Sequence, residues 1–163
     1  MMKNRLAVVY LVFVITIGFS MSGYCDENEG ISQLGFSNKN EMEFIGAASG
    51  GDIETVRKLL TTGIDINGKF GVMGQTALGM ASNKGKVKMV KFLIKSGADL
   101  NQIGSVGMAP LMHAVNNGHV EIVKVLIANG ADANAKGLMG ATVIQFAEKY
   151  PEIIQILKDA GAK

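Results

Sequence analysis

Two histidines, one cysteine and a run of lysines are the side chains of this 163-residue sequence with the clearest chemical reach. A metal centre or an acid–base pair needs several such groups at ligand or hydrogen-bond spacing. His113 and His119 have no second histidine or cysteine at ligand spacing, and Gly-x-Ser-x-Gly, His-Glu-x-x-His and phosphate-loop patterns do not occur. No catalytic residue, cofactor-binding residue or metal ligand is assigned, and no cofactor is expected. Lys84, Lys86, Lys88, Lys91 and Lys95 form a basic strip, which reads as a solvated helix face or as a surface for an acidic partner. Cys25 stands alone, so no disulfide forms within one chain.

The amino terminus belongs to targeting and not to chemistry. Lys3 and Arg5 precede fourteen apolar residues, Leu6–Phe19, and small and polar residues follow. That order predicts a secretory signal peptide over residues 1–25, with cleavage before Gly23 or Asp26. A bilayer span wants about 20 apolar residues, so the run is short for an anchor, although an uncleaved anchor stays open as an alternative. The formal charge of +2 resides in Lys3 and Arg5, and the remaining chain is neutral. A neutral mature chain gives no reason to expect nucleic acid or a membrane surface as partner.

The elements that would position any site repeat along the chain. Gly63-Ile-Asp-Ile-Asn67, Gly97-Ala-Asp-Leu-Asn101 and Gly130-Ala-Asp-Ala-Asn134 have glycines 34 and 33 residues apart. A period of that size predicts a solenoid of stacked units. A second marker, Gly74-Gln-Thr-Ala-Leu78, returns at Gly107 and Gly140, and a third, Gly51-Asp52, returns at Gly85 and Gly118. Each unit reads as helix, tight turn, helix and extended loop. Phe44, Leu78, Leu111 and Ile144, with Ala47, Ala81, Ala114 and Ala147 three residues on, should form the first-helix core face. Val56, Val90, Val123 and Ile154, with Leu59, Leu93, Leu126 and Leu157, should form the second. Gly63, Gly97, Gly130 and Gly161 are placed as left-handed helix caps, and Pro151 as the first residue of the last helix. Residues 26–40 read as a linker, and residues 41–163 divide into units at about 41–67, 68–101, 102–134 and 135–163.

These units resemble ankyrin repeats, most closely from Gly107 to Asn134, where Pro110, Leu111, Ala114, Gly118-His119, Ile122-Val123, Leu126-Ile127 and Gly130-Ala-Asp-x-Asn134 fall in the family pattern. The resemblance covers residues 41–163 and implies an all-α solenoid of helix-turn-helix units joined by β-hairpin finger loops. The histidine of the Thr-Pro-Leu-His signature is missing at Gly79, Met112 and Gln145. That loss implies a less rigid stack, and Gly79 inside a helix should cost about 1 kcal/mol relative to alanine. The first and last units have the atypical character of solenoid caps.

By the same resemblance, fingers and first helices form a concave face that binds proteins. The finger tips carry apolar residues between glycines: Val72 and Met73, then Val106 next to Ser105, then Leu138 and Met139, with Phe70, Gln75 and Met108 beside them. They form either an exposed ridge, which methionine suits, or a set in which one residue of each pair packs on the next finger. The first finger is one residue longer than the others, so its tip should protrude or bulge. Met80, Asn83, His113, Asn116 and Asn117 are the candidate contacts on the first helices. The expected protein is a monomeric, non-enzymatic binding module of a small secreted, periplasmic bacterial type, with a protein as partner. The alternatives are an antidote or protective protein for an exported toxin or periplasmic enzyme, and a membrane-anchored structural protein.

Overall fold

The computed structural model describes residues 27–137 and 140–163. The expected signal peptide and the tip residues Leu138 and Met139 lie outside the described residues. Eight α-helices follow in order among them: α1 (Glu27–Gln33), α2 (Lys39–Gly50), α3 (Ile53–Thr61), α4 (Ala77–Asn83), α5 (Val87–Lys95), α6 (Pro110–Asn116), α7 (Val120–Ala128) and α8 (Pro151–Asp159). A 3-10 helix, Val143–Ala147, stands before α8. Helices α2, α4, α6 and the 3-10 helix pack in one row, and α5, α7 and α8 pack in a second.

Local chemistry sets the helix ends. Asn38, Asp52 and Thr76 accept the backbone N–H of the third residue onward, at 3.1 Å each, which satisfies a donor that the first turn leaves open. Pro110 and Pro151 occupy first-turn positions, where no amide hydrogen is needed. The four glycines expected as caps all have positive φ, 86° to 94°, as in a left-handed cap.

The core lies between the two rows. Phe44, Leu78, Leu111, Val56, Val90, Val123, Leu59, Leu93, Leu126 and Leu157 are buried as expected. The terminal units depart by one residue. Ala48 is buried in place of Ala47, Val143 in place of Ile144, and Ile153 in place of Ile154. Those units pack against a complete neighbour on one side only, and the tighter winding of the 3-10 helix turns Val143 inward.

The Asp-x-Asn motifs hold the units together. Within each motif the aspartate accepts the asparagine N–H at 2.8–2.9 Å, which closes a local turn. Each asparagine then accepts a backbone N–H of the next unit: Asn67 from Asp99 at 2.7 Å, Asn101 from Asp132 at 2.9 Å, and Asn134 from Lys163 at 2.9 Å. His119 adds a bond from Nε2 to the Asn83 carbonyl at 3.0 Å. Inter-unit hydrogen bonds thus persist where the Thr-Pro-Leu-His histidine is missing.

Two expectations need correction. Residues 26–40 are not only a linker: α1 forms there, Ile31 is buried, and the Leu34 carbonyl accepts the Val72 N–H at 2.8 Å. The segment supplies the first finger with the neighbour that it otherwise lacks. The β-hairpins, moreover, contract to single antiparallel bridges, Phe70 with Gln75 and Lys136 with Thr142. The fingers instead bond to one another, as the Ser105 N–H donates to the Gly74 carbonyl at 3.2 Å. A Cβ on Gly74 would overlap the Ser105 hydroxyl, so this glycine permits finger stacking as well as a turn.

Candidate functional site

A groove opens between the first two fingers and the helices behind them, with a volume of about 180 Å³. Finger residues Met73 and Gln75 line one side, and Gly104, Val106 and Met108 line the other. From α4 and its cap come Thr76, Gly79, Met80 and Asn83, and from α6 comes His113. Seven of the sequence-derived candidates, Met73, Gln75, Met80, Asn83, Val106, Met108 and His113, are thereby brought to one place.

Gly79 makes the floor. It occupies the signature position where the family has histidine, and it is buried with no side chain to fill the space. An added Cβ would stand 2.8 Å from the Thr76 hydroxyl that caps α4 and 3.5 Å from the His113 ring. In the sequence Gly79 reads as a missing signature histidine and a helix weakness, not as part of a site. The signal that could have revealed the groove was the missing side chain itself, flanked by Met80 and Met108.

The polar end of the groove is a hydrogen-bonded pair. Asn83 Nδ2 lies 3.2 Å from His113 Nδ1, so the amide donates and Nδ1 accepts. Burial pushes the His113 pKa below its ordinary value and favours the neutral ring. The ring hydrogen then resides on Nε2, on the side facing Gly79. His113 is therefore a neutral donor at the end of an apolar slot.

The remaining candidates fall elsewhere. Val72 is 70% exposed and Met73 56%, and Val106 is 40% exposed, so the first two tips present apolar surface. Ser105 is exposed beside the groove without lining it. Phe70 is a correction: it is buried, and its ring meets Phe44 edge-on at 5.8 Å between centroids, because an aromatic ring at the finger base gains more by joining the core than by facing water. Asn116 and Asn117 are exposed and do not line the groove, and the Asn117 amide already donates to the His113 carbonyl at 2.8 Å. Ile103, 37% exposed, joins the exposed apolar surface without having been singled out in the sequence.

The ankyrin-repeat family model matches residues 44–137 and 101–163. The chain belongs to the ankyrin-repeat family. Ankyrin repeats are generally protein–protein interaction modules and are typically non-enzymatic. Among similar proteins, the human Ankyrin repeat domain-containing protein 40 is 43% identical over 53 residues, covering 32% of this chain and 14% of the relative. Its mouse counterpart is 42% identical over 53 residues, 32% of this chain and 15% of the relative. Ankyrin repeat and KH domain-containing protein mask-1 of Caenorhabditis elegans is 34% identical over 68 residues, 42% of this chain and 3% of the relative. The chain thus matches at most 15% of the length of these animal proteins.

Proposed function

We infer that this ankyrin-repeat protein is a non-enzymatic module that holds a protein partner through its first two fingers and the groove beneath them. The observation that carries the reading is the convergence of exposed Met73 and Val106 with the glycine floor at Gly79 and the Nε2–H of His113, which has no partner among the described residues. A slot of about 180 Å³ is below the usual size of a cofactor or drug-like pocket, roughly 300–1,000 Å³, and suits a side chain from a partner. Export through residues 1–25, a periplasmic or secreted location in a bacterium and a monomeric state complete the proposal, with the antidote or protective role as one form that such binding would take. Among the described residues no helix is long and apolar enough to cross a bilayer, so a membrane-anchored version would rest on the amino-terminal run.

Capture of a partner by the protein purified from its producing cells tests this reading. Met80→Glu and Val106→Asp, each with an unchanged circular dichroism spectrum, should abolish capture. Undiminished capture by both variants would refute the groove as the binding surface. The intact mass of the protein tests export separately, since retention of residues 1–25 contradicts a cleaved signal.

A further inference from the structure

The groove's chemistry restricts what kind of segment it accepts. Met73, Met80, Val106 and Met108 wall the slot over Gly79, and no lining residue carries a formal charge. Three thioether side chains adapt to an aliphatic guest, and the volume of about 180 Å³ admits one side chain of leucine or methionine size. At the far end, His113 Nε2–H remains to donate to a carbonyl of the guest, since Nδ1 is engaged by Asn83.

Charge fixes the next feature. Helix α4 is capped by Lys84, directly after Asn83. Lys91 pairs with Glu121 at 2.9 Å, whereas Lys84 and Lys88 are exposed and make no ion pair among the described residues. The groove-bearing units, residues 68–134, hold seven lysines against three carboxylates, while residues 27–67 hold seven carboxylates against three basic residues. Of those seven lysines, Lys86, Lys88, Lys91, Lys95 and Lys124 stand at or on the second helices and Lys69 lies in the first finger, so the positive charge beside the groove residue Asn83 is that of Lys84.

We propose that the groove takes an extended peptide segment of the partner, in which one aliphatic side chain enters between the methionines and acidic residues follow toward Lys84. The proposal rests on the groove being the binding surface. It commits to an acidic, aliphatic segment in place of a folded basic surface or a second copy of this chain.

Selection of displayed random peptides on the protein purified from its producing cells, followed by anisotropy titration of the enriched peptides, tests it. The enriched peptides should pair an aliphatic residue with a nearby carboxylate. Affinity should fall at least about tenfold for Met80→Glu and for Val106→Asp, about 1.4 kcal/mol or more. Lys84→Glu should weaken binding about fivefold at low salt, and the loss should shrink as salt screens the exposed pair. Val106 is partly exposed at the rim, so its variant retains the test if Met80→Glu melts early. Peptides that bind both groove variants as well as wild type would overturn the groove reading itself. Peptides that need the groove but lack carboxylates, or bind Lys84→Glu equally, would overturn the acidic chemistry and leave the groove standing. Enrichment of no peptide would overturn the proposal and favour a folded domain as occupant.

Discussion

The second-helix side and the finger side of this stack use their side chains in opposite ways. Along the second helices, three cations find partners in the next unit: Lys91 with Glu121, Lys124 with Glu152, and Arg57 over the Phe92 ring at 5.0 Å. The adjoining Asp-x-Asn loops engage both their aspartates and their asparagines within the chain. Across the stack, the first two fingers meet through the backbone bond from Ser105 to Gly74, with Val72, Met73 and Val106 left facing solvent and Gly79 on the groove floor. One side is organised to join units, and the other keeps its apolar and donor groups for a guest. Exposed ion pairs contribute only about 0–1 kcal/mol each, so the joining itself comes mainly from the buried rows and the asparagine ladder.

Substitutions should separate the two sides by size of effect. Leu93→Ala, in the fully buried row, should lower stability by about 2–5 kcal/mol in urea denaturation, and a smaller loss would mean that the units are held elsewhere. Asn101→Ala removes the acceptor of the Asp132 N–H and should cost about 1 kcal/mol, with a neutral result breaking the claim that the ladder joins units. Ser82→Ala should do the reverse. The Ser82 hydroxyl is buried on α4 without a hydrogen-bond partner among the described residues, and the aligned residue of the next unit is the buried Val115. Its removal should raise stability by up to about 1 kcal/mol, which thermal melting would detect. Val72→Ser and Val106→Ser, at the exposed tips, should change stability by less than about 0.5 kcal/mol.

Acid provides an independent probe of the groove side. Burial lowers the His113 pKa, so the unfolded chain binds a proton more readily than the folded one. Stability should therefore be complete above the ordinary histidine value of about 6.5 and decline as pH falls toward and through the lowered folded value. Urea midpoints from neutral pH downward should show that decline, and His113→Gln should remove this part of it. An identical decline in the variant would place the titrating group elsewhere.

Much of the architecture was legible in the sequence because stacking repeats its own constraints. Glycine at each second-helix end, alanine behind each first-helix apolar residue and leucine in each second helix recur with the period, and the structure uses them as expected in the inner units. At the ends the register gave poorer guidance, since Ile144 and Ile154 match the pattern but lack the neighbours that bury their equivalents. Helix α1 escaped notice because it forms outside the repeat, against α2, with Leu34 just beyond it meeting the first finger. Phe70 was misplaced because it neighbours a tip in sequence, and only packing against Phe44 draws it inward. The groove was half legible: its wall residues were named, while its floor was an absence of side chain at Gly79.

Site-specific photo-crosslinking compares the two sides most directly. A photoreactive residue placed at Val106 in the producing cells should yield a discrete covalent adduct with a partner, and the same residue at Gln155, exposed on α8, should yield none. Adducts at Gln155 with none at Val106 would contradict the account.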